Sequence, residues 1–183
     1  MNRKEMKLLA FDELSRDRLF AIMKNLVLSY NWAWFKGTQI TIEKYGLDAL
    51  SDEEHTELLR EFGSRQSRKM VELPIVSGMD ADSIIKGLQL SYWALFENIE
   101  LTKLSESVVR MRTIDCSLQR NTKKKWGMEY PCKTLGASFA TRTGFVKAIN
   151  PQAEVECKFS PPDPRPKNIP ENVSCEWIIS IPS

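Results

Sequence analysis

A single histidine, His55, stands among 183 residues, so the histidine-assisted motifs of many hydrolases and cysteine nucleophiles are missing. Net charge is nearly absent too: 26 basic against 24 acidic side chains leave +2. Duplex-binding proteins carry a stronger positive imbalance, so nucleic acid is not expected as the principal ligand. No apolar run approaches the ~20 residues of a membrane-spanning helix, and no membrane role is expected. The opening stretch MNRKEMKLLAFDELSR has basic residues but no apolar h-region, so it does not read as a signal peptide. The expectation is a cytoplasmic protein whose cysteines are thiols or metal ligands rather than disulfides. The four cysteines include no C-x-x-C pair, which makes their spacing a weak metal signature. Internal repeats and low-complexity tracts are also missing.

What is present is an ordinary globular composition, 42% hydrophobic and 27% charged. The length suits one domain over residues 1–183, with a helical part to residue 95 and a hairpin–helix–hairpin part after it. Asp12 or Ser15 can cap a first helix with Leu19, Ile22, Met23, Leu26 and Val27 at helical spacing, and Gly46 stops it. Ser51-Asp52-Glu53-Glu54 reads as a capping box for a second helix with Leu58, Leu59, Phe62, Gln66 and Met70, ending before Pro74. A shorter helix capped by Asp80 or Asp82 follows, with Ile84, Ile85 and Leu88 inward.

The period then changes. Residues 96–103 and 107–115 read as a β-hairpin joined by 103–106, and 116–130 as a polar, basic loop or short helical turn. Pro131 fits the first position of a helix running to about Ile149, with Leu135, Phe139 and Val146 as its apolar positions. Strands near 153–159 and 173–181 flank a proline-stiffened loop, Pro161 to Pro166. The expected class is α+β: a helical amino-terminal half, then a roughly four-stranded antiparallel sheet with one crossing helix.

The order strand–Cys116–Cys132–helix–Cys157–Cys175 resembles a family of uncharacterised bacterial and archaeal cytosolic proteins. Trp34-Phe35 with Glu43 and Gly46, Cys116 with Gln119 and Arg120, and Pro131-Cys132-Lys133 carry the likeness. The Pro161-Pro162-Asp163 loop and Cys175-Glu176-Trp177 complete it, so that it covers nearly the whole chain. More distantly the architecture is similar to 4-vinyl-reductase domains and L-2-amino-thiazoline-4-carboxylic acid hydrolases. That resemblance implies a small-molecule pocket between helices and sheet. It also implies, as an alternative activity, hydrolysis of a small amino-acid-like compound.

The cysteines are the main chemical signal. Cys157 and Cys175 lie on consecutive strands whose register could set them side by side. Cys116 ends the earlier hairpin and Cys132 opens the next helix, so all four could meet at one end of the sheet. Four thiolates in tetrahedral array suit zinc or an iron–sulfur cluster; the alternative is a set of small buried hydrophobes. At the second position of a helix beside Lys133, Cys132 would feel the dipole and become a nucleophile, against the plainer reading of a helix-entry cysteine. Gln119 and Arg120 are ligand-binding candidates, with Arg120 as bidentate carboxylate anchor.

Two further groups bear on partners. Trp34, within the aromatic cluster Tyr30, Trp32, Trp34 and Phe35, and the pair Tyr92 and Trp93 could line a cavity or belong to the core, and Glu43 is a proton acceptor only if buried. Gly136, Ala140, Gly144 and Ala148 form a stripe without bulk on one helix. It suits close packing, either inside the chain or across a homodimer, the latter as in an assembly subunit.

Overall fold

The computed structural model describes residues 14–50, 53–95, 97–133 and 137–182. The expected roles of Asp12, Ser51, Asp52, Phe96, Leu135 and Gly136 fall outside these residues. The described residues divide into two compact units, at Gly37.

Helix α1 (Arg16–Tyr45) crosses that boundary. Ser15 caps it: its Oγ accepts from the Arg18 amide at 3.3 Å. Gly46 ends the helix with φ +83°, a conformation that costs a residue without Cβ least. In the first unit, Tyr30 and Trp32 are exposed and Trp34 is half-buried.

The second unit holds the rest. Helix α2 (Glu53–Glu72) is followed by α3 (Ala81–Gln89), where Asp80 accepts from the Ser83 amide at 2.8 Å. A cap of this kind contributes about 1 kcal/mol. Strands β1 (Asn98–Ser105) and β2 (Val108–Ile114) form the first hairpin; β3 (Glu154–Phe159) and β4 (Val173–Ser180) form the second. The antiparallel sheet has the order β1-β2-β4-β3, so β2 and β4 are central. This is the α+β class that the sequence predicts. Among the described residues, no helix is long and apolar enough to cross a membrane.

β4 alternates strictly between buried and half-buried positions. Val173, Cys175, Trp177 and Ile179 point to the core, alongside Val109, Met111 and Thr113 of β2. Ile84 and Leu88 of α3 close that core together with Phe145 and Val146 of α5 (Ala137–Ile149). The opposite face carries ion pairs: Arg112 Nε donates to Glu176 at 2.6 Å, and Glu100 lies within 4 Å of Arg110 and Arg112.

Four local expectations are corrected. Residues 116–130 are not a loop but contain a ten-residue helix, α4 (Ser117–Trp126). Its Gln, Arg and three lysines are good helix formers, and Gly127 at φ +68° supplies the left-handed stop. Pro131 does not open the following helix. Gln119 clamps the backbone there, accepting from the Tyr130 amide at 2.8 Å and donating to the Tyr130 carbonyl at 2.6 Å. The segment therefore turns at 132–133, and α5 is assigned only from Ala137. Cys157 faces Trp177 rather than Cys175, because the unbroken register from Glu154↔Ser180 leaves Cys175 two residues further along β4.

The fourth concerns the small-residue stripe. Its motive for a homodimer is used up inside the chain, because Gly144 meets the Arg60 carbonyl of α2 and Gly63 of α2 meets the Thr141 carbonyl of α5. Both approaches are backbone on backbone, which only a residue without Cβ permits.

Candidate functional site

A charged group lies where the sheet's inner face meets α5. Arg142 sits between Phe139 and Val146 on the very stripe predicted to be apolar, and is buried. Its guanidinium lies 4.9 Å from the Trp177 ring and 5.8 Å from the Trp93 ring, a cation between two indoles. Phe139 stacks on Trp177 and fixes that ring from the same helix. Nη1 donates to the Ser138 carbonyl at 3.3 Å, and Nη2 lies 3.7 Å from Glu97 Oε2 just before β1. That ion pair is long and leaves polar capacity over. Arg142 Nε, Glu97 Oε2 and Trp93 Nε1 are buried without a hydrogen-bond partner among the described residues. Orphans of this kind are rare in a finished core and mark a place where water, an ion or a ligand belongs.

All four cysteines are free and buried, and all four belong to this neighbourhood. Cys116 caps α4, the left-handed Asp115 before it (φ +56°) turns the chain out of β2, and the Cys116 amide donates to Ser174 Oγ at 3.0 Å. Its thiol points to Glu97 Oε1 at 3.6 Å. Cys132 accepts from Gln119 Nε2 at 3.2 Å, and Cys175 accepts from the Trp177 indole N–H at 3.1 Å. Cys175 is the hub, in electrostatic reach of Cys116, Cys132 and Cys157. Even so, the described residues contain no group of three or more His, Cys, Asp or Glu side chains placed to hold a metal ion.

The electrostatics are those of a dry, charged pocket. Burial works against the charge on Arg142, but Cys175, Glu97, Cys132 and Cys116 outweigh it and strengthen its hold on the proton. Burial raises the Glu97 carboxyl above its ordinary 4.5, opposed by Arg142 and by the Cys116 thiol. The thiols of Cys116 and Cys157 are raised by burial, and that of Cys132 is pushed up to about 11. The expected activation of Cys132 by a helix dipole is thus absent: the residue stands in a turn, and desolvation dominates.

These shifts predict a pH dependence. A thiol with a raised folded value binds its proton more tightly folded than unfolded. Its contribution is complete below the ordinary 9.0 and is lost as pH rises toward the folded value, about 11 for Cys132. Urea denaturation should show stability falling between those pH values, and falling less in Cys132→Ala. A flat profile would contradict the buried-thiol description.

The other expected residues are dispersed. Arg120 is exposed and pairs with Asp115 on the surface. Glu43 is exposed, accepting from Gln39 at 2.7 Å, so it is a surface charge rather than a buried base. Gln119 holds the Tyr130–Cys132 turn and so serves the site indirectly. Of the triplet Cys175-Glu176-Trp177, the outer two face the site, while Glu176 pairs with Arg112 on the opposite face. The proline loop reaches the same region through Asp163, 3.6 Å from Lys133, and Arg165 anchors it by donating to the Pro170 carbonyl at 2.8 Å.

Arg142 and Glu97 were not among the sequence candidates, whereas Trp93 was expected to line a cavity or belong to the core. The signal for Arg142 was a charge interrupting an apolar stripe, three residues after Phe139 and four before Val146.

One feature separates this cluster from the packing behind it. The four cysteines and Arg142 each keep 5–8% of their surface accessible, whereas Trp177, Met111, Phe145 and Val146 keep none. No curated protein matches the chain. Over residues 12–181 it matches a family of unknown function, DUF6125, and it belongs to that family.

Proposed function

We propose that this is a cytoplasmic small-molecule-binding protein whose ligand binds beside the buried thiols between α5 and the sheet and presents an anionic group to Arg142. The observation that carries the reading is the set of orphaned buried polar atoms on Arg142, Glu97 and Trp93, beside four buried free thiols. A guanidinium held between indoles is a preorganised carboxylate anchor. Burial raises the Glu97 carboxyl, which weakens its competition with a ligand anion for Arg142. Buried thiols and indoles supply a soft lining. A reducing compartment suits the four free thiols. The likeness to 4-vinyl-reductase domains and thiazoline-carboxylate hydrolases belongs to this proposal and favours an organic ligand.

A hydrolase using Cys132 has weaker support, since burial keeps that thiol protonated near neutrality and Arg120 lies on the surface. Zinc or an iron–sulfur cluster has weaker support as well, for want of a gathered ligand group among the described residues.

Native mass spectrometry of untreated protein, with elemental analysis, tests the choice. The expected result is a non-covalent organic adduct without stoichiometric metal, and a melting temperature raised by some members of a panel of small carboxylates. Stoichiometric zinc or iron would overturn it in favour of a metal site. Neither adduct nor stabilisation would overturn it altogether.

A further inference from the structure

Arg142 and the four thiols are buried, so a ligand reaches them only after some wall of the site moves. The regular walls are poor candidates, because α5 and the central strands are held by continuous backbone hydrogen bonding. The proline loop is anchored as well. Arg165 donates to the Pro170 and Val173 carbonyls and lies 5.0 Å from the Phe159 ring. The connection after α4 is built differently. From Gly127 to Lys133 it contains neither helix nor strand, yet it brings the buried Cys132 into electrostatic reach of Arg142 and Cys175.

We propose that residues 127–133 form a hinged gate over the thiol site and that Gln119 is its latch. The hinge is Gly127, which holds φ +68° and would have nothing within 4 Å of an added Cβ, so the chain can rotate there without a clash. The latch is one amide making three contacts. It accepts from the Tyr130 amide at 2.8 Å and donates to the Tyr130 carbonyl at 2.6 Å and to Cys132 Sγ at 3.2 Å. The Ser138 side chain bonds the same sulfur. The ion pairs Lys133–Asp163 and Lys123–Glu129, at 3.6 and 3.9 Å, are exposed and hold little. The closed form is also disfavoured from within: Tyr130 is 1% exposed, and its hydroxyl has no partner among the described residues. Opening returns that hydroxyl to water, which narrows the free-energy gap between closed and open. As a ligand entrance the gate rests on the small-molecule reading above; as a moving segment it does not.

Iodoacetamide labelling of Cys132 in the full chain, read by peptide mass spectrometry at fixed pH and several urea concentrations below the unfolding transition, tests this. A gate exposes little surface as it opens, so the wild-type rate should be nearly flat in urea. Access through global unfolding would climb as steeply as the unfolding equilibrium itself. Gln119→Leu should raise the rate roughly tenfold or more, about the effect of one lost hydrogen bond, and leave it flat. A Gln119 that merely stabilises the fold would instead give a rate that climbs. Tyr130→Phe should slow labelling roughly threefold or more, since no hydroxyl is left to gain from opening. Should Gln119→Leu fail to fold, wild type and Tyr130→Phe decide. A rate that climbs with urea overturns the inference, as does no labelling below the transition or an unchanged rate in either folded variant. Labelling needs no ligand, so the two readings fail separately. A steep rate in a protein that a carboxylate stabilises removes the gate alone, and a flat rate without any stabilising carboxylate removes the binding reading alone.

Discussion

Gly144→Ala should destabilise the fold by about 3 kcal/mol, the upper end for overpacking a filled site. The added Cβ would run into the carbonyl oxygen, carbonyl carbon and Cα of Arg60, all backbone atoms that cannot rotate away. Gly63→Ala should behave alike, because its Cβ would meet the Thr141 carbonyl and the Phe145 amide. Alanine is the better helix former by about 1 kcal/mol, so propensity alone predicts stabilisation. The clash is the larger effect and sets the sign. Gly37→Ala is the control: it also lies within a helix, nothing stands within 4 Å of its new Cβ, and it should stabilise slightly. Denaturation midpoints of the three variants decide the matter. If Gly63→Ala and Gly144→Ala matched the control, α2 and α5 would not cross at these glycines.

The second large effect is expected at Arg142. Replacing it by methionine keeps much of the stem volume and strands Glu97, whose side chain is only 9% exposed. Breaking a buried pair from one side costs about 3–5 kcal/mol, because the remaining charge has no partner. The sign with pH follows from Glu97. Its folded value is already above 4.5 through burial, and Arg142 is the main influence holding it down. Without Arg142 it rises further. The stability that comes from the tightly held proton is present below pH 4.5 and is lost as pH rises through the folded value. The deficit of Arg142→Met should therefore be largest near neutrality and shrink toward about pH 5. Adding Glu97→Gln should recover most of it at neutral pH. Equal deficits at both pH values, with no rescue by the second substitution, would show that the ion pair does not hold this site together.

Much of the architecture is legible in local chemistry. Ser15, Gly46 and Asp80 mark helix ends through interactions spanning three or four residues. The alternation of 173–181 identifies a strand with one buried face, because side-chain period is a property of the backbone. Composition and charge sufficed to set aside nucleic acid and membrane roles as expectations. The cysteines stand out in the sequence as the main chemical signal, but their arrangement is not readable there.

Tertiary structure decided what local pattern could not. Pro131 is a good helix opener, yet a side-chain amide twelve positions upstream holds its surroundings in a turn, and with that the basis for an activated Cys132 disappears. The glycine stripe suits any close helix contact; only the position of Arg60 shows that the contact is internal. Arg120 had the right chemistry for an anchor, but one step along a short helix turns it to solvent, while Arg142 on another element faces the sulfurs. Propensity, capping and periodicity act between near neighbours in sequence, so they determined the elements. The site depends on burial and on charges brought together from α4, α5 and both hairpins, and those exist only once the chain has folded.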